Sequence, residues 1–165
     1  MQSRSERARQ LFEQGYTCSQ SVCLAFSDLV ALEEETLAIV ASGFGGGVGR
    51  MRGLCGCVSG MTLILNLLRS YSGPGRPDTE KAALYAEIQT LAQQFRQSAG
   101  SLLCADLLGQ AGQDTSAVPS ARTKDYYAQR PCAGLCALAA DILSRHLQSL
   151  PQNTSGQTEA ESQPV

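Results

Sequence analysis

The stretch GFGGGVGRMRGLCGCVSG, residues 43–60, decides how this chain is organised. It contains eight of the 16 glycines and two of the seven cysteines, and the apolar segment MTLILNLL follows it at 61–68. Glycine loses more conformational freedom on folding than any other residue, so a cluster of glycines implies unusual dihedral angles or a close backbone approach. We therefore interpret residues 43–60 as a site that leads into a buried helix, and not as a linker.

Length and charge restrict the class of protein. A chain of 165 residues is most simply one domain, and at this size about 70% of the unfolded surface can be buried. A net charge of −2 gives no electrostatic reason to expect nucleic-acid binding. The polar N-terminus lacks the apolar run of a secretory signal, and no apolar segment approaches the ~18 residues of a membrane span. These features predict a soluble, cytoplasmic protein that binds neither nucleic acid nor membrane.

Helical periodicity runs through the sequence, and no stretch alternates in the manner of a strand. The pattern predicts an all-α fold: a compact, single-domain bundle of about five to seven helices over residues 1–147, packed around a central helix at 57–70. Residues 148–165 have almost no apolar content and are predicted to form a disordered polar tail.

The individual helices carry local signals. Thr17-Cys18-Ser19-Gln20 fits a capping box, which places Cys18 in the first turn of a helix with its side chain toward the core. Thr79 is predicted to cap a long helix that ends before Gly100. The predicted inner faces comprise Leu37, Val40, Ala41 and Phe44 in the third helix, Ala82, Tyr85, Ile88, Leu91, Ala92 and Phe95 in the long helix, and Cys132, Leu135, Cys136, Ala139 and Leu143 in the last.

Seven cysteines in a cytoplasmic protein indicate metal binding or redox chemistry, because a reducing compartment does not maintain structural disulfides. The chain has no C-x-x-C and no C-x-x-C-H, so neither a thioredoxin-type dithiol nor covalent c-type haem is predicted. The spacings that do occur are C-x-C at Cys55 and Cys57 and C-x-x-x-C at Cys132 and Cys136.

Four positions recur at predicted helix starts: Cys18, Cys55 or Cys57, Cys104 and Cys132. Unpaired backbone N–H groups at a helix N-terminus favour the thiolate, the form that attacks electrophiles and binds metals. Four basic residues that precede these positions would act in the same direction: Arg50, Arg52, Lys124 and Arg130. Spacing alone leaves open whether the thiols share one site or lie separately in the core.

The segments GYTCSQSV (15–22), LCGCVSG (54–60) and SLLCADLLG (101–109), followed by Cys132, resemble the C_GCAxxG_C_C family over roughly residues 6–146. Cys57 stands where that family usually has alanine. The resemblance implies redox activity carried by Cys18, Cys55, Cys104 and Cys132. The family's similarity to a domain of split-Soret cytochromes implies an iron–sulfur cluster. Cys23, Cys57 and Cys136 exceed the four-cysteine pattern.

Three functions follow as hypotheses. The first is a redox or electron-transfer protein that holds an iron–sulfur cluster through Cys18, Cys55, Cys104 and Cys132, with Cys57 as the first substitute ligand. The second is a metal-free thiol–disulfide enzyme, and the third is an interaction module stabilised by zinc. A redox partner protein is expected for the first, and a homodimer is one state that the sequence leaves open.

Other signals are weaker. The glycine loop has neither a preceding strand nor a G-K-[ST] ending, so close backbone packing beside the thiols is expected instead of phosphate binding. The only histidine, His146, is expected on the surface of the last helical turn. Tyr126 and Tyr127 are expected to anchor the preceding loop by packing, and a lid over the site is the alternative.

Overall fold

The computed structural model describes residues 2–150, and within them the predicted all-α fold is confirmed. There are eight α-helices: α1 (Arg4–Glu13), α2 (Cys18–Leu24), α3 (Glu34–Ser42), α4 (Gly56–Arg69), α5 (Asp78–Ala99), α6 (Cys104–Leu108), α7 (Lys124–Ala128) and α8 (Cys132–Ser149). Two 3₁₀ turns, Ser27–Leu29 and Gly109–Gln113, follow α2 and α6. The one β-type pairing in this part of the chain is an isolated antiparallel bridge between Leu54 and Leu103.

The central position predicted for the helix after the glycine loop is confirmed. α4 packs against α2, α5 and α8, and α1 closes the bundle against α2 and α8. Met61, Ile64 and Leu65 of α4 are almost completely buried. Because the apolar residues of α4 cover most of its circumference, the helix can bury itself only among several others.

The capping box that starts α2 is also confirmed. The Thr17 hydroxyl accepts a hydrogen bond from the Gln20 backbone N–H at 3.3 Å, and the Gln20 side-chain oxygen accepts one from the Thr17 N–H at 3.0 Å. These reciprocal bonds satisfy two donors that a helix start otherwise leaves unpaired. They fix Cys18 as the first residue of α2.

Three details differ from the sequence-based expectation. α5 begins at Asp78 with Pro77 as its N-cap residue, so Thr79 lies inside the first turn and does not cap the helix. Leu84 is buried in α5, whereas Tyr85 is 52% exposed. In α3, Val40 is 47% exposed. Both helices bury narrower stripes than the pattern suggested, because each packs on few neighbours.

The helix count exceeds the predicted five to seven by one short element, α7. Its N-cap is Thr123, whose hydroxyl accepts from the Tyr126 N–H at 3.2 Å. Tyr126 and Tyr127 pack on the Phe12 ring, with centroid distances of 6.5 and 6.0 Å. The predicted anchoring role of this tyrosine pair is confirmed.

The predicted polar tail, residues 148–165, overlaps the end of α8. α8 continues to Ser149, two residues beyond the expected boundary, and residues 151–165 lie outside the described part. Among residues 2–150, no helix combines the length and hydropathy that crossing a bilayer requires.

Candidate functional site: a cysteine cavity with an arginine wall

The glycine loop forms a left-handed turn. Residues 46–50 all have positive φ, between 55° and 70°, and they include the non-glycine residues Val48 and Arg50. Left-handed backbone costs roughly 1–2 kcal/mol for each non-glycine residue, so the surrounding contacts must hold this turn in place. Backbone hydrogen bonds close it, from Gly49 N–H to Gly43 at 2.8 Å and from Gly53 N–H to Gly47 at 3.0 Å.

Glycine is required at Gly47 because of a neighbouring cysteine. A Cβ added there would lie 2.7 Å from the Cys104 Cβ, and its φ of +70° disfavours any other residue. Two short backbone bonds connect the loop to the start of α6, from Cys55 N–H to Leu102 at 2.7 Å and from Cys104 N–H to Gly53 at 2.7 Å. The loop therefore packs closely beside the thiols, as expected, and brings Cys104 next to Cys55.

Gly56, the first residue of α4, permits an equally close approach by α2. A Cβ at this position would lie 2.5 Å from Cys18 Sγ and 2.9 Å from the Phe44 carbonyl oxygen. The absence of a side chain at Gly56 thus creates the space that Cys18 occupies between α2 and α4.

A cavity of about 270 Å³ lies where these elements meet. Its wall includes the five cysteines singled out by the sequence: Cys18, Cys55, Cys57, Cys104 and Cys132. Cys132 is half-buried and the other four are buried. The structure therefore brings together side chains that are up to 114 positions apart in the sequence (132 − 18).

The remaining two cysteines lie elsewhere. Cys136, one turn after Cys132 in α8, is behind the cavity wall, with its Sγ 3.7 Å from Cys57 Sγ. Its thiol donates to the Cys18 carbonyl oxygen at 3.8 Å. Cys23 is fully buried and donates to the Gly60 carbonyl oxygen at 3.6 Å. Cys23 thus packs in the core, whereas Cys136 belongs to the thiol network.

Cys18 is the acidic thiol of this network. A hydrogen bond from the Cys57 thiol is the largest effect on it, and backbone N–H groups of Gly46, Ser19 and Cys18 act in the same direction. Together they outweigh burial and lower the pKa of Cys18 to about 6. Cys18 is therefore mainly a thiolate at neutral pH.

Cys57 has the complementary property. Hydrogen bonding to Cys136, Cys18 and Cys55 together with burial raises the pKa of Cys57 well above its ordinary value. Cys57 consequently remains protonated and is the donor to the Cys18 thiolate. Cys18 and Cys57 thus pair one thiolate with one thiol inside the protein.

The expectation that every helix-start cysteine is acidic is wrong. Burial raises the pKa of Cys104 despite a hydrogen bond from Arg52, and burial with neighbouring thiolates raises the pKa of Cys132. The free-energy cost of removing a thiolate from water exceeds the stabilisation that the N–H groups of one helix end provide. At Cys18, by contrast, several donors converge and the pKa is lowered.

Four arginines lie in the wall of the cavity: Arg50, Arg52, Arg122 and Arg130. Arg50, Arg52 and Arg130 were expected near the thiols, but Lys124 is exposed and does not line the cavity. Arg122 was not predicted, because it belongs to a polar loop without a local motif. Its guanidinium donates to the Phe12 and Tyr16 carbonyl oxygens at 3.3 and 3.1 Å and stacks on the Phe12 ring.

Among residues 2–150, no three His, Cys, Asp or Glu side chains converge closely enough to hold a single metal ion. The cavity cysteines instead surround a space. Thiolates are suitable ligands for zinc and for the irons of a cluster, each of which takes its own cysteine.

His146 differs from its expected surface position. Its side chain is 13% exposed, and Nε2 is 3.6 Å from a Glu87 carboxylate oxygen of α5. The last turn of α8 packs beside α5, which explains why the imidazole is covered. His146 lies outside the cavity wall and contributes nothing to the thiol site.

A family model described as "Putative redox-active protein (C_GCAxxG_C_C)" matches residues 16–146. Neither the curated proteins nor the solved structures compared with the chain gave a match. The matched range extends from just before Cys18 to His146 and so includes all seven cysteines.

Proposed function

Because the chain belongs to the C_GCAxxG_C_C family, we propose that it is a thiol-based redox protein in which the Cys18 thiolate attacks a small disulfide inside the cysteine cavity. The observation that carries this proposal is that Cys18 and Cys57 line the same cavity, where hydrogen bonding between them lowers the pKa of Cys18 and raises the pKa of Cys57. An attacking thiol is most effective when its pKa lies near the ambient pH, and Cys18 meets that condition.

The proposed reaction has two steps. In the first, the Cys18 thiolate attacks one sulfur of a disulfide RS–SR, so that a Cys18–SR bond forms and RS⁻ leaves and takes up a proton. In the second, Cys57 attacks Cys18 Sγ while its proton passes to the departing sulfur, which forms a Cys18–Cys57 disulfide and releases the other RSH. Two electrons have then passed from the protein thiols to the substrate, and an external dithiol, of a partner protein or a small molecule, returns them.

The test uses dithiodipyridine, a neutral disulfide whose thione product absorbs light. At pH 7, Cys18→Ser should slow thione release by about tenfold or more, because burial raises the pKa of Cys104, Cys132 and Cys136 and keeps these thiols protonated. Cys57→Ser should stop the reaction at the mixed disulfide on Cys18, which mass spectrometry detects. The matched control is Cys23→Ala, a buried cysteine outside the cavity, which should react like the unaltered protein.

Two results would contradict the proposal. One is a Cys18→Ser variant that reacts as fast as the unaltered protein. The other is a peptide map in which the first disulfide to form joins a pair without Cys18.

An iron–sulfur cluster is the second candidate, favoured by a different observation. Cys18, Cys55, Cys104 and Cys132 line the same cavity without converging on one point, as ligands of separate irons would. When bound, a cluster would supply one-electron transfer, and the arginine wall would compensate its negative charge. Iron and acid-labile sulfide should appear in stoichiometric amounts in anaerobically purified protein, and a folded, colourless, iron-free product after reconstitution would argue against it.

A further inference from the structure

The cavity wall carries a strong excess of positive charge. It contains four arginines, and no Asp, Glu or Lys is among the described residues that line it. The whole chain has a net charge of −2, so the charge of the cavity wall is opposite in sign to the net charge of the protein. A cavity lined by one sign of charge attracts ligands of the opposite sign.

Among these four arginines, Arg52 gives the strongest indication that the cavity binds a hydrogen-bond acceptor. It is 5% exposed, its Nε donates to the Asp114 carbonyl oxygen at 2.8 Å, and its Nη1 points to Cys104 Sγ at 3.9 Å. Its Nη2 is buried and, among residues 2–150, has no hydrogen-bond partner. A buried guanidinium donor without a partner costs free energy, and such a group calls for an acceptor that the protein itself does not provide.

The other arginines are largely unneutralised. Arg50 is paired with the Asp114 carboxylate at 2.7 Å, and its Nε donates to the Ser116 carbonyl oxygen at 2.6 Å. Arg130 has only a 3.5 Å contact to the Ser120 hydroxyl and lies over the Tyr126 ring at 4.5 Å. Arg122 also lies over the Tyr126 ring, 4.9 Å from its centroid. Within the described residues, the four guanidinium groups thus form a single salt bridge, that of Arg50 with Asp114.

Size and access restrict the ligand further. A volume of about 270 Å³ is below the ~300–1,000 Å³ of sites for drug-sized ligands. Cys18 is 9% exposed, so the disulfide of a folded protein cannot approach its sulfur without rearrangement. The ligand that fits both limits is small.

We propose that the substrate of the thiol reaction is a small disulfide that carries carboxylate groups, held by Arg52 and Arg130 while its sulfur meets Cys18. This inference rests on the proposed function and names the substrate class of the same site. Guanidinium groups pair with carboxylates through two parallel hydrogen bonds, which gives orientation as well as affinity. The carboxylate would accept from the unpaired Arg52 Nη2.

The first experiment compares two alkylating reagents that differ in charge. Iodoacetate carries a carboxylate and iodoacetamide is its neutral counterpart, so the ratio of their rates at Cys18 reports anion binding separately from thiolate reactivity. The ratio should exceed that of a free cysteine peptide by about tenfold or more. Arg52→Met and Arg130→Met should each lower it by about tenfold, whereas Arg145→Met, an exposed arginine of α8, should leave it unchanged.

The second experiment needs no reaction. Thiodiacetate, a dicarboxylate thioether that thiols cannot reduce, should raise the unfolding temperature of the reduced protein more than sodium chloride of equal ionic strength does. Arg130→Met, whose side chain has little hydrogen bonding to lose, should abolish this shift even if Arg52→Met folds poorly.

The outcomes separate the two proposals. Rapid reaction of Cys18 with equal preference for both reagents, and no shift with thiodiacetate, would overturn the anionic substrate and leave the thiol function standing. A Cys18 that is inert to both reagents, together with a thiodiacetate shift that depends on Arg130, would overturn the thiol reaction and retain the anion site.

Discussion

The first turns of α2 and α8 both present a cysteine to one cavity, but the pKa of one thiol is lowered and the pKa of the other is raised. Cys18 begins α2 and has a pKa of about 6, whereas burial raises the pKa of Cys132 at the start of α8. Both helices offer unpaired N–H groups at their N-termini. The difference shows that a helix end alone does not make a buried cysteine acidic.

What distinguishes the start of α2 is the number of donors directed at one sulfur. Cys18 receives the Cys57 thiol and N–H groups from its own helix and from Gly46 of the left-handed turn. Cys132 receives no comparable set, and its neighbours are other thiols whose negative forms repel its own. Donors from three separate segments outweigh desolvation at α2, and desolvation dominates at α8.

The largest effect that would test this comparison comes from adding one methyl group beside each cysteine, at Gly56 of α4, which contacts Cys18, and at Gly134 in the first turn of α8. Gly56→Ala places a Cβ 2.5 Å from Cys18 Sγ, so the free energy of unfolding should fall by about 3 kcal/mol and Cys18 should lose its reactivity. Gly134→Ala in α8 meets nothing within 4 Å and should instead stabilise the protein by about 0.5–1 kcal/mol. Urea unfolding measures both changes, and equal effects would show that the two helix starts are packed alike.

A somewhat smaller effect is expected in the pH dependence of stability. The pKa of Cys18 is about 6 in the folded chain and close to 8.5–9 when unfolded, so its thiolate stabilises the fold fully above pH ~9 and loses that contribution as the pH falls through 6. The free energy of unfolding should therefore rise by about 2 kcal/mol from pH 6 to pH 8. Cys18→Ser should remove this rise and Cys132→Ser should retain it, both measured by urea unfolding under reducing conditions. A rise that persists in Cys18→Ser would assign it to another group.

The smallest effect concerns the single donor that separates the two sites. Cys57→Ala removes the largest acidifying contact, so the pKa of Cys18 should rise by about one unit or more, whereas Cys57→Ser keeps an O–H donor and should keep the pKa low. Cys136→Ala is the matched control, because the Cys136 thiol donates to the Cys18 carbonyl oxygen and not to its sulfur. The pH profile of Cys18 alkylation, followed by mass spectrometry, gives each value. An unchanged profile in Cys57→Ala would place the acidity entirely on the backbone donors.

Local patterns predicted most of the helices. The capping box at Thr17 and the apolar circumference of α4 correctly gave the start of α2 and the centre of the bundle. The same reasoning failed for Tyr85 and Val40, because a pattern of apolar residues does not reveal how wide a face the neighbouring helices will cover. α7 was missed because five residues are too few to establish a period.

The candidate site likewise contains residues that the sequence identified and residues that it did not. The five cysteines that line the cavity were selected from their positions in the sequence, since the family pattern and the helix starts coincide at four of them and Cys57 lies two residues after Cys55. Arg122 and the contact of Cys136 with Cys57 had no such signal. Both depend on segments that meet only after α8 and the loop before α7 have packed against α1 and α2.

By itself, the sequence determined that the chain is helical, that its thiols cluster at helix starts, and that glycines are needed beside two of them, because these properties depend on neighbours within a few residues. Only the tertiary structure decided which thiol is acidic and which charge faces it. The pKa of Cys18 and the unpaired guanidinium of Arg52 reflect a balance between desolvation and donors from distant segments, and that balance exists only once the helices have excluded water from the cavity.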